Sequence, residues 1–164
     1  MQKISHDSET PAEGQQVITA CAFIHHNFDG VEKVFLPKRA KTKKFLPDVY
    51  ELPGGHIDYG EELVAGLQRE IQEEFSVSSN IGDPFFAFTY MNEVKGSHSL
   101  EIVYFAQLDD ITAIQLHPED HSESGWFAED ELEDAYSANK GVGDIEFTAM
   151  RKGFAILRGK ALTT

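Results

Sequence analysis

The sequence predicts one domain of α+β or three-layer type with a mixed β-sheet. Apolar stretches of strand length occur in two groups, and each group is followed by a stretch with helical spacing. No internal repeat, low-complexity tract or linker divides the 164 residues, and a 41% apolar content is enough for a real core.

The elements follow in order. Residues 1–15 are polar, with Asp7, Ser8, Glu9, Thr10 and Pro11, and read as a flexible lead-in to a single domain over 16–164. Residues 17–24 have strand character, Asn27-Phe28-Asp29-Gly30 is a turn, and 31–36 form the antiparallel partner, so a hairpin opens the domain. Short strands are expected at 50–52 and 56–57, flanking a proline-glycine turn. Helical spacing runs over about 61–75, with Val64, Leu67, Ile71 and Phe75 on one face. Two further strands are expected at 85–91 and 100–108, with Lys95-Gly96-Ser97 marking the turn between them. Trp126-Phe127-Ala128 reads as a brief strand before the acidic segment 129–138. A final helix over about 144–157 presents Phe147, Met150, Phe154 and Leu157 at helical spacing.

Composition excludes several functions. A net charge of −14 repels polyanions, so long nucleic acid is not an expected partner. Five basic residues nevertheless cluster at Lys38, Arg39, Lys41, Lys43 and Lys44, a run suited either to a solvated loop or to a phosphate clamp. The apolar run at 17–24 is too short to span a bilayer and lacks a basic leader with a cleavage site, so a cytoplasmic protein without a membrane partner is expected. Cys21 is the sole cysteine, cannot form an internal disulfide, and lies in a strand pattern that suggests packing. Composition leaves the choice between monomer and homodimer open.

The chemistry is concentrated between Gly55 and Val77, where Gly55, Glu61, Arg69, Glu70, Glu73 and Glu74 stand in the register G-x5-E-x7-R-E-x-x-E-E. Chance places six such identities in one prescribed register on the order of once in ten thousand shuffled chains. On a helix, Glu70, Glu73 and Glu74 project within one arc of roughly 100°. Like charges at those spacings cost an isolated helix about 0.2 to 0.5 kcal/mol per pair. A hard divalent cation such as Mg²⁺ or Mn²⁺ removes that penalty and completes its shell with substrate phosphates. Just upstream, Glu51-Leu52-Pro53-Gly54-Gly55-His56 forces a tight turn in which a peptide oxygen can approach a ligand without a Cβ in the way.

Turn, loop and helix together resemble the Nudix box of the Nudix hydrolases, and the likeness extends over nearly everything after Gln15. It implies an α/β/α sandwich with a mixed sheet and a Mg²⁺- or Mn²⁺-dependent pyrophosphohydrolase of MutT type. The substrate implied is a small nucleoside diphosphate derivative, a nucleoside triphosphate or alternatively ADP-ribose or another nucleotide sugar. A nucleotide-sensing module without catalysis and an isoprenoid diphosphate isomerase are rivals on the same fold. The intact carboxylate set argues against the first, and the context of Cys21 against the second.

Carried over by position, the resemblance makes Glu73 and Glu74 the main metal ligands, joined by the backbone carbonyl of Gly54. Glu70 either binds a second ion or takes the proton from the attacking water. Arg69 belongs to the same catalytic set but points off the acidic face, where pairing with a carboxylate such as Glu61 would fix the loop. Lys38 and Arg39, at the end of the second strand, are the expected substrate-binding residues. A late loop acid is expected from the run His117 to Glu123, which offers Glu119, Asp120 and Glu123, and Glu123 is selected by its distance from Trp126. The proline in that run argues against a metal pair of His117 and His121. Phe86, Phe88 and Tyr90 share one strand face, a spacing that favours core over a stacking platform. In place of the family's glycine after the acidic pair stands Ser76, a departure that touches only how the helix ends.

Overall fold

The structure, a computed structural model, describes residues 10–137 and 143–159. β1 (Gln16–Phe28) is its spine, in a sheet ordered β4 (Ser79–Asn92), β5 (Ser97–Leu108), β1, β2 (Val31–Arg39) and β6 (His121–Phe127), while β3 (Gly54–His56) also pairs with β1. The β1–β5 pair is parallel and the others are antiparallel, so the sheet is mixed as expected.

Side chains alternate across a strand, and β1 uses both faces. Ala20, Ala22 and Ile24 meet Leu67, Ile71 and Phe75 of α1 (Leu63–Phe75) on one side. Cys21 and Phe23 meet the other side, where Leu132 and Tyr136 of α2 (Leu132–Ser137) and Phe147, Met150 and Phe154 of α3 (Ile145–Leu157) complete the layer. The result is the three-layer sandwich. Leu67, Ile71 and Phe75 are fully buried, each contributing roughly 1.5–3 kcal/mol by leaving water.

One feature of the sheet positions the site. Near its start β1 pairs with β3 (Thr19↔His56, Cys21↔Gly54), but at its far end it pairs with β2 (His25↔Val34, Phe28↔Val31). Where β1 changes partner the sheet opens into a cleft, lined by Arg39 and Lys43 of the basic run and by Gly54 and Gly55 of the turn.

Several boundaries differ from expectation. β4 begins at Ser79, six residues before Phe85, and its pairing is irregular around Pro84, which an edge strand tolerates because no neighbour needs the missing N–H. Residues 50–52 are not a strand beyond one bridge, Lys38↔Tyr50; the Leu52 N–H instead donates to the Glu146 carboxylate of α3. α1 starts at Leu63 rather than at 61, because Glu61 accepts from Asp58 N–H and Arg69 in the preceding turn. Of the expected lead-in, residues 1–9 lie outside the described residues, while Ala12 is buried and donates to Lys95 O, and Gly14 donates to Gly96 O. Of the acidic segment, Ala138 lies outside the described residues, and 129–137 form a short 3-10 turn followed by α2.

α1 ends on Ser76 in the left-handed conformation (φ 55°, ψ 33°), its N–H on Gln72 O at 3.0 Å. A Cβ is disfavoured there, so Ser76→Gly is expected to stabilise the fold by about 1 kcal/mol, read as a melting point about 2–4 °C higher. An unchanged or lower melting point would mean that the 3.4 Å contact of Ser76 Oγ with His117 Nε2 outweighs the backbone cost.

Candidate active site

Arg69 organises the helix side of the cleft. Its Nε and one terminal nitrogen donate to both oxygens of Glu61 at 2.8 and 3.0 Å. The other terminal nitrogen donates to Glu70 Oε1 at 2.9 Å and Glu73 Oε2 at 3.2 Å, while the first also donates to His56 O at 3.0 Å. The guanidinium therefore ties loop, β3 and two acidic side chains together; it pairs with Glu61 as expected, but it reaches Glu70 and Glu73 on the acidic face instead of pointing off it. Those carboxylates, Glu61 first, raise its pKa further.

The glycines explain the close approach of turn and helix. Gly54 lies against β1 with φ 154°, and a Cβ there would come within 2.1 Å of Ala20 O. At Gly55 a Cβ would meet Glu70 Oε2 at 2.4 Å, so this glycine makes the space that the Glu70 carboxylate occupies.

A cavity of about 290 Å³ gathers Gly54, Gly55, Glu70, Glu73, Glu74, Glu51, Arg39, Lys43, Asp120 and His121. Glu73 is exposed at its rim. Burial pushes the Glu70 carboxyl above its ordinary pKa, an effect partly offset by the Arg69 hydrogen bond. Glu74 is pushed up much further, first by burial and then by the charges of Glu51, Glu70 and Asp120, with Arg39 opposing. Its Oε2 is buried and has no hydrogen-bond partner.

Glu51, quoted in the turn motif but not assigned to the site, is a central member. Its Oε1 is 2.9 Å from His121 Nε2 and its Oε2 accepts from Arg39 at 3.3 Å. His121 is buried and stacks on Phe75, with ring centroids 5.3 Å apart. Glu101, from β5, also lines the cavity and was equally unanticipated. No spacing in the sequence links Glu51, Glu101 and His121, since strand pairing and loop closure bring them together.

Two expected residues are placed elsewhere. Lys38 and Glu123 do not line the cavity; they pair with each other at 3.2 Å, and Lys38 also approaches Asp48 at 3.6 Å. The cause is a bulge. β2 and β6 pair Lys38↔Glu123 but Arg39↔His121, skipping Ser122, so residues 121 and 123 no longer share a face. Counting back from Trp126 without the bulge selects Glu123, whereas Asp120 is the late acid that lines the cavity, held by Lys43 at 2.8 Å. Of the two expected substrate residues, Arg39 lines the cavity and Lys38 does not; Lys43 joins Arg39 there.

Among the described residues no three acidic or imidazole side chains are drawn into a ready metal-ligand set. Arg69 engages Glu70 and Glu73, and Arg39 with His121 engages Glu51. The donor set still fits a hard divalent cation. The orphaned Glu74 Oε2 lies among like charges, and nothing else in the cavity offers that oxygen a proton or a positive charge at bonding distance.

Residues 17–147 match the NUDIX domain, and the chain belongs to the Nudix family of pyrophosphohydrolases. Curated relatives include proteins named m7GpppN-mRNA hydrolase NUDT17, from Xenopus laevis (44% identical over 43 residues, 26% of this chain and 14% of that protein) and Bos taurus (36% over 66 residues, 40% and 21%). The matched part thus spans about a fifth or less of those relatives. Among solved structures, the MutT protein from Methanosarcina mazei Go1 superposes with a TM-score of 0.69 at 21% identity, covering 91% of this chain and 99% of that one. The C. elegans Ap4A hydrolase in a binary complex gives 0.69 at 23%, covering 87% and 98%. These structural likenesses bear on fold alone, and they agree with the mixed sheet between helices. Among the described residues no helix is long and apolar enough to cross a membrane.

Proposed function

We propose that this chain is a divalent-metal-dependent hydrolase that cleaves the phosphoanhydride of a nucleoside diphosphate joined to a further group, the joined nucleoside polyphosphates being its first candidates. The observation that carries this reading is the buried, unpartnered Glu74 Oε2 among Glu51, Glu70 and Asp120, in a cavity that Arg39 and Lys43 also line. Carboxylates alone would repel a phosphate chain. Carboxylates beside basic side chains suit a cation and an anion bound together.

In this reading Glu73, Glu74 and the Gly54 carbonyl hold Mg²⁺ or Mn²⁺, with Glu70 beside them. The bound ion supplies charge neutralisation and a more acidic water. Arg39 and Lys43 orient the phosphate oxygens, an electrostatic contribution that grows as the cleft excludes water. Glu70 or Asp120 accepts the proton of the attacking water, and the burial that raises the Glu70 pKa brings it nearer the value a general base needs at neutral pH. Arg69 positions Glu70 and Glu73. The name of the curated relatives, m7GpppN-mRNA hydrolase, supports the polyphosphate class, while ADP-ribose and nucleotide sugars remain the alternative substrates.

Release of nucleoside monophosphate, measured with Mg²⁺ and Mn²⁺ over nucleoside triphosphates, dinucleoside polyphosphates, capped dinucleotides, ADP-ribose and nucleotide sugars, tests the proposal. Chelator-sensitive cleavage of one class is expected. Binding of one member with no turnover under either ion would make the chain a sensing module instead. On the best substrate, Arg39→Ala is expected to raise KM at least about tenfold, as loss of a charged hydrogen bond does. Lys38→Ala is expected to leave KM within about twofold, since it removes only a pair outside the cavity. The reverse order of effects would restore Lys38 to the site.

A further inference from the structure

His121 sits on the cavity wall, buried, with one of its two ring nitrogens engaged. Nε2 stands 2.9 Å from Glu51 Oε1, while Nδ1 is shut off from water and has no hydrogen-bond partner. A proton on Nδ1 would be sealed in without an acceptor, so the ring proton belongs on Nε2, where a carboxylate accepts it. His121 is then a donor to Glu51. The ring is fixed in that orientation from two sides: it stacks on Phe75 at the end of α1, with planes 26° apart, and its backbone N–H donates to His117 O. The bulge that skips Ser122 sets it opposite Arg39.

Glu51 stands between His121 and Arg39, and its Oε2 accepts from the guanidinium at 3.3 Å. Arg39 is held from a second direction, since its Nε donates to Phe45 O at 3.0 Å. Phe45 is in turn fixed by Tyr90: the rings lie 14° apart in plane, with centroids separated by 6.2 Å. The expectation that the ladder from Phe86 to Tyr90 is core is therefore met at one end only. Phe86 and Phe88 pack against the core, while Tyr90 lines the cavity and carries Phe45.

Arg39 shares the cavity with Glu70, Glu74 and Asp120 as well as Glu51. A guanidinium on a long flexible stem can turn to any of several carboxylates, and it presents its fork to a phosphate at low entropic cost only where its own partner is immobile. A carboxylate bound at both oxygens is immobile in that sense. We propose that His121 is a positioning residue for phosphate recognition: its Nε2–H holds the Glu51 carboxylate, and Glu51 so held aims the Arg39 guanidinium at the phosphate chain. The proposal rests on the phosphate-binding role given to Arg39 above, and adds to it a residue that acts through two others. The competing role is packing alone, in which the ring merely fills space beside Phe75. Phenylalanine would satisfy packing, whereas only an N–H donor satisfies the positioning role.

Two measurements separate these roles. The first reads the imidazole nitrogen signals of the unliganded full chain by nuclear magnetic resonance, where His121 is expected to show a protonated Nε2. A bare Nε2 overturns the proposal, and this test needs no variant to fold. The second is calorimetric affinity for imidodiphosphate at saturating Mg²⁺. His121→Phe, which keeps the stack and loses the donor, is expected to bind at least about tenfold more weakly, as Arg39→Ala does. His121→Gln, whose side-chain amide restores an N–H, is expected to stay within about threefold of the parent. Combining His121→Phe with Arg39→Ala should cost no more than about twofold beyond Arg39→Ala alone, because both act through one guanidinium. On a cleaved substrate the His121→Phe loss should fall on KM, with kcat within about threefold. Parent-like affinity in His121→Phe, equal weakening in the Phe and Gln variants, or losses that add fully with Arg39→Ala overturn the proposal. Cleavage that His121→Phe leaves untouched overturns it too and keeps the hydrolase, whereas His121-dependent anion binding without any cleavage upholds the positioning and sinks the hydrolase. A parent protein that binds no imidodiphosphate overturns the phosphate role of Arg39, and the proposal with it.

Discussion

Glu74→Gln is expected to lower turnover at least about a thousandfold and, in metal-free buffer, to melt at a higher temperature than the parent protein. The first effect follows from removing a ligand oxygen of the proposed ion. The second follows from the raised pKa of Glu74, whose charged form is disfavoured by burial and by Glu51, Glu70 and Asp120. An acid with a raised folded pKa lends stability below its unfolded value and loses it as pH climbs through the folded one. Glutamine stays neutral throughout, so the melting-point gap between variant and parent should widen from mildly acidic to alkaline pH. Divalent ion should close the gap by stabilising the parent and not the variant. Paired thermal melts and initial rates check both halves. A variant that melts with the parent at every pH, with or without ion, would remove Glu74 from the metal site.

The two glycines of the turn are expected to fail in different ways. Gly54→Ala sets a Cβ 2.1 Å from a backbone oxygen of β1 at a φ of 154°, and neither strand can yield. A loss of more than about 3 kcal/mol is expected, read from urea unfolding or as insoluble protein. Gly55→Ala meets the end of the Glu70 side chain instead. That carboxylate can swing aside, so the fold should survive while kcat falls about a hundredfold through misplacement of Glu70. Full activity in Gly55→Ala would show that the position of Glu70 does not matter to the chemistry.

What could be read from the sequence is what local spacing encodes. The helix with Glu70, Glu73 and Glu74 on one face, the Pro53-Gly54 turn and the Arg69–Glu61 pair all lie within about 25 residues, where helical period and turn chemistry dictate geometry. The continuous apolar run at 17–24 likewise marks a strand, and β1 is buried on both faces there. What escaped depends on contacts between distant segments. Glu51 becomes a site residue only because Arg39 and His121 converge on it, and Leu52 is held by Glu146, ninety-four residues away. Glu123 was selected in place of Asp120 because the bulge opposite Lys38 and Arg39 involves no glycine or proline that would mark it. Glu51, Glu101 and Asp120 reach the cavity from three separate stretches of chain, so no single motif announces them together.

The proposed reaction needs the acidic face of α1 to be a divalent-cation site, and the most direct measurement is Mn²⁺ binding followed by the loss of the free-ion electron paramagnetic resonance signal. The parent protein is expected to deplete free Mn²⁺ saturably, with Mg²⁺ competing, and Glu74→Gln is expected to lose most of that binding. Depletion that is equal in the two proteins, or absent from both in the presence of a cleaved substrate, would contradict it.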